Sequence, residues 1–291
     1  MEGSQPLLGL RVDVDTAVGY EKGVPKLLRL FRDQNITASF CVTTGSDNTS
    51  WNVIRYLEQI RKVSHNQSKA RPRTKQSLKL ILANKKWFVR SFLANNHFTD
   101  VEKRLGLGSQ ILDQGHDLFL HGYNHFSWAN YFSTYPPKKQ REFLYKGIKK
   151  FEEMYHQRPT GFASPNFVTT PVLLMELKKQ NFLACSNFTT EISKVPFKPH
   201  LKDFIGVMEV PVLRRTLLEL ASNNCYPSTG VVYLHASVEG LSFVRITRNY
   251  LKQWRVALGG QVGSINKYLQ HQTEQKDTHL PLRELFPVKF R

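Results

Sequence analysis

An apolar stretch near the start of the chain, LGLRVDVDTAVG, carries two carboxylates in a segment that otherwise has the composition of a buried strand. We predict a strand over about residues 8–14, a helix in VPKLLRLFRDQN and a second strand in ITASFCVT. This β-α-β order implies parallel strands, because the helix returns the chain to the same end of the sheet. Functional side chains of such folds usually follow the carboxyl ends of the strands, where Asp13 and Asp15 lie.

The alternation of strands and helices continues along the chain, with further strand candidates in GFASPNF, FLACSNF and GVVYLHA. Residues 51–105 interrupt it, because they are too long and too basic for an ordinary connection. We therefore expect an α/β protein, one domain over residues 1–291, folded as an irregular (β/α) barrel with a basic helical insert at 51–105.

The cysteines and the apolar segments limit the classes of protein that the chain can belong to. Three widely spaced cysteines with no CxxC pair argue against a disulfide framework and against a thiolate zinc site. The first residues do not have the pattern of a secretory leader, and no run of eighteen apolar residues occurs. We expect a protein that is neither secreted nor membrane-spanning.

Two short motifs predict a metal site. Asp13 and Asp15 project to one face of the predicted strand, about 7 Å apart, and buried carboxylates at that distance repel each other unless a cation lies beside them. His121 and His125 in HGYNH follow another predicted strand, and their spacing lets two imidazoles converge if the backbone turns helically. One Asp and two His leave coordination positions open, which is the pattern of a catalytic metal site.

The segments RVDVDT, HGYNH and YLHASVEG, in this order, resemble the polysaccharide deacetylase family. The nearer likeness is to the branch that removes formyl or acetyl groups from undecaprenyl phosphate-linked aminosugars. It rests on LRVDVDT, GVPKLL, the Gly45, Asp47, Asn48 stretch and the ending from His235 to Gly240. The resemblance implies the barrel of that family. It also implies metal-dependent hydrolysis of a linear amide bond in lipid A and lipopolysaccharide modification, with a polyprenyl phosphate-linked aminosugar as substrate.

The same resemblance implies roles for five residues. Asp13 corresponds to the general base, His235 to the general acid, and Asp15, His121 and His125 to the metal ligands. Zn²⁺ is the expected ion, with Mn, Co or Ni as alternatives. A fourth ligand or a supporting carboxylate is the alternative role for Asp13, and a core histidine is the alternative for His235.

Five further residues are candidate substrate contacts: Asp47, Asn48, Pro165, Asn187 and Glu239. The chain departs from the family pattern at two of its motifs. GFASPNF keeps Pro165 but has no Arg to orient the catalytic Asp, and Asn187 stands where an Asp is common. These departures leave open how Asp13 is oriented and which acyl group and sugar are preferred.

The formal charge of +18 is concentrated in the insert, where residues 61–90 contain ten Lys or Arg and no Asp or Glu. We expect Lys79, Lys86, Trp87, Phe88 and Arg90 to contact an anionic membrane surface, which places the protein peripherally on the cytoplasmic face of a bacterial inner membrane. A lid helix docked on the barrel is the alternative. For the whole protein, a nucleic-acid-binding protein and a non-catalytic binder of lipid-linked sugars are the rival functions, although nucleic-acid binding leaves the Asp and His motifs unexplained.

The membrane assignment predicts two separable contributions to vesicle binding. Replacing Lys79, Lys86 and Arg90 by Gln should weaken co-sedimentation with anionic vesicles mainly at low salt, because the Debye length falls from ~10 Å at 0.1 M to ~3 Å at 1 M. Replacing Trp87 and Phe88 by Ala should weaken it at every salt concentration. Binding to RNA or DNA with a steep salt dependence, and none to vesicles, would instead favour the nucleic-acid alternative.

Overall fold

The structure is a computed structural model, and it describes residues 5–47, 97–190, 202–204 and 207–274. Its strands are β1 (Leu7–Val14), β2 (Ser39–Val42), β3 (Asp117–Leu120), β4 (Gly161–Phe162), β5 (Ala184–Cys185), β6 (Thr189–Thr190), β7 (Lys202–Phe204), β8 (Val207–Glu209), β9 (Val212–Thr216), β10 (Gly230–His235) and β11 (Gln261–Gly263). Its α-helices are α1 (Val24–Asp33), α2 (Phe98–Leu105), α3 (Leu107–Asp113), α4 (His125–Tyr131), α5 (Pro137–Tyr155), α6 (Pro171–Lys179), α7 (Leu217–Ser222), α8 (Val244–Leu258) and α9 (Ile265–Glu274).

Strand β1 organises the sheet, since every one of its residues is buried and it pairs in parallel with β2, β10 and β11. The strand order is β6-β9-β10-β1-β2-β3-β4-β5-β8-β7, and each described pair is parallel except β7 with β8. The carboxyl ends of β1, β2, β3 and β10 therefore meet at one edge. This curled parallel sheet with helices confirms the predicted α/β barrel-like class.

Two apolar clusters cover the two faces of the sheet. The larger joins one face of the strands to the helices, and its members include Leu10 and Val12 of β1. The smaller lies on the opposite, inner face and includes Leu7 of β1, Val231 of β10 and Tyr268 of α9. Because side chains alternate along a strand, Arg11, Asp13 and Asp15 continue the inner face that begins at Leu7. The inner face is thus apolar at the amino end of β1 and charged at its carboxyl end.

The predicted insert overlaps a helix of the core. Helix α2 occupies the last eight residues of the 51–105 segment, and its Phe98 and Val101 are buried in the larger apolar cluster. Residues 48–96 lie outside the described residues, so the basic helix and its membrane contacts stay predictions. Within the described ranges, no helix combines the length and apolarity needed to cross a bilayer.

Between α3 and β3, His116 is a buried histidine that the fold holds neutral. It is 4% exposed, its Nδ1 accepts a hydrogen bond from the backbone N–H of Ala38 (3.0 Å), and its ring packs edge-on against Phe31 and Phe40. Burial lowers the pKa of His116 to about 4. Protonation would also remove the acceptor that the Ala38 N–H uses.

Because His116 is buried in its neutral form, we expect the free energy of unfolding to fall in mild acid. A lowered folded-state pKa means that the stabilisation is present above pH ~6.5 and is lost as the pH falls toward ~4. Between pH 7 and pH 5, the free energy of unfolding of the wild type should fall by about 2 kcal/mol more than that of His116→Asn, which keeps an acceptor but cannot titrate. Denaturant titrations at the two pH values measure this difference. The exposed control His156→Asn should match the wild type, and an equal fall in His116→Asn would contradict the account.

Candidate active site

Two of the three charged residues on the inner face of β1 form a buried ion pair. Nε of Arg11 donates to Oδ1 of Asp13 at 2.6 Å, and Nη2 donates to Oδ2 at 2.9 Å. Arg11 is 0% exposed and Asp13 is 4% exposed. Arg11, a residue of the same strand, therefore supplies the positive charge that Asp13 needs. Asp15 is left to face a different group.

The HGYNH segment brings its two histidines together through a turn. His121 directly follows β3, whereas His125 is the first residue of α4. Gly122 between them has φ +70°, and a Cβ there would lie 2.9 Å from the Trp128 ring, so a side chain is disfavoured on both counts. Asn124 caps α4 by accepting from the backbone N–H of Ser127 at 2.8 Å. The expected helical turn through both histidines is thus wrong, and a strand end with a capped helix start produces the convergence.

Asp15, His121 and His125 form a cluster whose candidate ligand atoms all lie within 4.8 Å of one another. Oδ1 of Asp15 is 3.1 Å from Nε2 of His121 and 3.6 Å from Nε2 of His125. No other group of three or more His, Cys, Asp or Glu with this geometry occurs among the residues that the structure describes.

The surroundings of His121 fit a divalent ion. Its Nδ1 lies 2.8 Å from the carbonyl oxygen of Ala163, so the ring nitrogen that donates is fixed by the backbone. Its Nε2 is buried, and among the described residues it faces Oδ1 of Asp15 at 3.1 Å without the geometry of a regular hydrogen bond. A histidine held in this way presents a lone pair on Nε2, which is how metal-ligating histidines are usually supported. Two imidazoles and a carboxylate are a suitable donor set for Zn²⁺ and for related transition ions.

His235 ends β10 opposite the end of β1, where it is in register with Asp13. Its Nε2 is 3.9 Å from Oδ2 of Asp15, and its Nδ1 is 3.9 Å from Oε2 of Glu239. The same Glu239 oxygen accepts the backbone N–H of His235 at 2.8 Å. The imidazole side chain is 28% exposed, so it can meet a molecule that enters from solvent.

The charges of the site act on one another. Burial would raise the pKa of Asp15, but the imidazoles of His125 and His235 outweigh it and lower that pKa. Burial would lower the pKa of His235, but the carboxylates of Asp15 and Glu239 raise it. Both shifts have the same cause, the attraction between a carboxylate and a nearby imidazole.

The candidate substrate contacts have different surroundings. Oδ2 of Asp47 accepts the backbone N–H of Ala17 and so supports the loop after Asp15. Pro165 begins a short 3₁₀ turn, and it is buried. Asn187 and Glu239 are 0% and 1% exposed, and their contacts that the structure describes are with the protein. Asn48 lies outside the described residues, as do Lys79, Lys86, Trp87, Phe88 and Arg90. Direct contact of any of these residues with substrate or membrane stays a prediction.

Sequence reasoning missed the groups that support Asp13 and the end of β5. Nη1 of Arg11 donates to the carbonyl oxygen of Ser186 at 2.6 Å. Oε1 of Glu209 accepts the N–H groups of Asn187 (2.7 Å) and Phe188 (3.1 Å), and burial raises the pKa of this carboxyl to about 7. Strand alternation could have placed Arg11 beside Asp13. No local pattern joins Glu209 to residues more than twenty positions earlier.

Comparisons with curated proteins relate the chain to deformylases. It is 24% identical over 254 residues to a Wigglesworthia glossinidia brevipalpis protein, with 80% of this chain and 83% of that protein covered. It is 29% identical over 143 residues to a Shewanella sediminis protein, with 49% of this chain and 43% of that protein covered. Both relatives are named as the 4-deoxy-4-formamido-L-arabinose-phosphoundecaprenol deformylase ArnD.

The fold has counterparts among solved structures. A Mycobacterium smegmatis protein, described as a polysaccharide deacetylase, superposes with a TM-score of 0.60 at 16% identity, and the match covers 100% of this chain and 97% of that one. The sequence profile of the family "Polysaccharide deacetylase" matches residues 8–183, which include Asp13, Asp15, His121 and His125. The chain therefore belongs to the polysaccharide deacetylase family.

Proposed function

We propose that this protein hydrolyses the N-acyl amide of an aminosugar carried on a polyprenyl phosphate, with a bound divalent metal ion. The observation that carries the proposal is the meeting of Asp15, His121 and His125 within 4.8 Å, at the sheet edge where Asp13 of β1 is in register with His235, the last residue of β10. Membership of the polysaccharide deacetylase family supports an amide hydrolase. The names of the two curated relatives support a lipid-linked aminosugar as the substrate.

In this proposal, Asp15, His121 and His125 hold the ion. A divalent ion so bound supplies Lewis acidity, which polarises an amide carbonyl and makes a coordinated water easier to deprotonate. The Ala163 carbonyl keeps the Nδ1 proton on His121, so Nε2 remains the ligand atom.

The two remaining residues divide the proton transfers. Asp13 takes a proton from the attacking water, and Arg11 holds both of its carboxylate oxygens. His235, on the neighbouring strand, gives a proton to the departing amine. The carboxylate of Glu239 faces the other ring nitrogen, Nδ1, of this imidazole. Amide hydrolysis needs both transfers, because water is a weak nucleophile and an amine anion is a poor leaving group.

Metal removal should affect both activity and stability. Dialysis against a chelator should abolish turnover and lower the melting temperature, because an ion that binds only the folded state stabilises it, and adding Zn²⁺ should restore both. His121→Ala serves as the matched control: its melting temperature should not respond to chelator or to Zn²⁺. Full turnover in a sample verified by elemental analysis to be metal-free would contradict metal dependence.

The substrate assignment predicts release of an acyl group from a lipid-linked aminosugar. Purified protein incubated with formylated and with acetylated polyprenyl phosphate aminosugars should convert at least one of them to the free amine, as measured by mass spectrometry. Asp13→Asn and His235→Ala should each reduce turnover by at least ~10²-fold while retaining the fold and the metal.

Two results would overturn parts of this assignment. Conversion of neither substrate by metal-loaded protein would refute the substrate class. Loss of metal together with the fold in Asp13→Asn or His235→Ala would show that the residue is structural instead of catalytic.

A further inference from the structure

The guanidinium of Arg11 is held from three directions inside the barrel. Two of its nitrogens donate to the two carboxylate oxygens of Asp13, and the third donates to the carbonyl oxygen of Ser186 after β5. The ring of Phe167 lies against it, with the guanidinium carbon 5.0 Å from the ring centroid. With 0% exposure, Arg11 has no access to bulk water that could compete for these contacts.

This arrangement fixes the plane of the Asp13 carboxylate. A single hydrogen bond leaves a carboxyl group free to rotate about its Cβ–Cγ bond, whereas two parallel N–H donors from a planar guanidinium hold both oxygens at once. A lysine at the same position would keep the positive charge but could not reproduce the planar pair of donors. The orientation of Asp13 therefore depends on the shape of the Arg11 side chain as well as on its charge.

The turn after β4 completes the cradle around the guanidinium. GFASPNF has no Arg of its own, yet its Phe167 packs on Arg11 and makes an edge-on contact with Tyr233 of β10. Phe167 has φ +57°, a costly conformation for an aromatic residue, and such strain persists only where surrounding contacts enforce it. Oδ1 of Asn187 accepts the backbone N–H of Ser164 at 3.0 Å and ties this turn to β5.

We infer that Arg11 is the positioning residue of Asp13 and that Phe167 and Ser186 hold its guanidinium in place. Asp13 and Arg11, which orients it, lie two residues apart in the same strand, so their side chains project from the same face at a fixed spacing. This inference rests on the proposed function, in which Asp13 accepts a proton from the attacking water. Arg11 itself does not touch the reacting atoms.

A double-mutant cycle on metal-loaded protein tests the inference. Arg11→Lys should reduce kcat by about 10²-fold, as expected for a misplaced catalytic group, with less than about a 2-fold change in KM. The metal content should be unchanged. In the Asp13→Asn background, Arg11→Lys should change the residual kcat by less than about 2-fold, because the orientation of residue 13 no longer affects the rate once its carboxylate is gone.

The matched control is Arg248→Lys, which alters another Arg–carboxylate pair, with Asp33, on the exposed surface. It should leave kcat and KM unchanged. Unchanged kcat in Arg11→Lys, or an equal loss in the wild-type and Asp13→Asn backgrounds, would overturn the inference. Full activity of Asp13→Asn would instead refute the base assignment in the proposed function, so the two failures are distinguishable.

A second variant covers the case in which Arg11→Lys does not fold. Phe167→Leu leaves both charges of the pair in place and removes only the aromatic face beside the guanidinium. We expect a kcat several-fold below the wild type, an unchanged KM, and no further loss when this variant is combined with Asp13→Asn. A loss of the same size in both backgrounds, or no loss in either, would contradict the role of the cradle.

Discussion

Three charged side chains, two on the inner face of the buried strand β1 and one directly after it, alternate along the chain, and the need to neutralise them governs the site. A buried charge without a partner costs several kcal/mol, so each of the three requires a counter-charge. Arg11 and Asp13 neutralise each other within β1. Asp15, at the end of the strand, is surrounded by imidazoles.

The parallel sheet brings the charged and imidazole side chains of the site together at one edge. Asp13 lies in β1 and Asp15 directly follows it, His121 directly follows β3, and β10 ends at His235. Because all three strands run in the same direction, their carboxyl ends meet, and residues more than a hundred positions apart in the chain become neighbours. Residues around the site then need only to keep these side chains in position. Glu239 does so for His235, and the turn around Phe167 does so for Arg11.

The sequence carried the elements of the site but not its internal connections. Regular patterns located β1, α1 and β2, and the two short motifs identified the histidines and carboxylates that meet. The same pattern contained the position of Arg11, since RVDVD alternates three charged residues on one face. The ion pair between Arg11 and Asp13 could be predicted only by treating the strand as buried on both faces, so that the two side chains have to neutralise each other. The two-residue strands β4 and β5 have no periodicity to detect. Glu209 and Phe167 reach the site through tertiary contacts and, for Phe167, through a strained backbone that no local pattern specifies.

If Asp15, His121 and His125 bind one divalent ion next to Asp13 and His235, anomalous diffraction at the zinc absorption edge will locate it in crystals of the protein grown with Zn²⁺. We expect one strong peak about 2.0–2.2 Å from a carboxylate oxygen of Asp15 and from one imidazole nitrogen of each of His121 and His125. A peak coordinated by other residues, or density at this cluster with no anomalous signal, would contradict it.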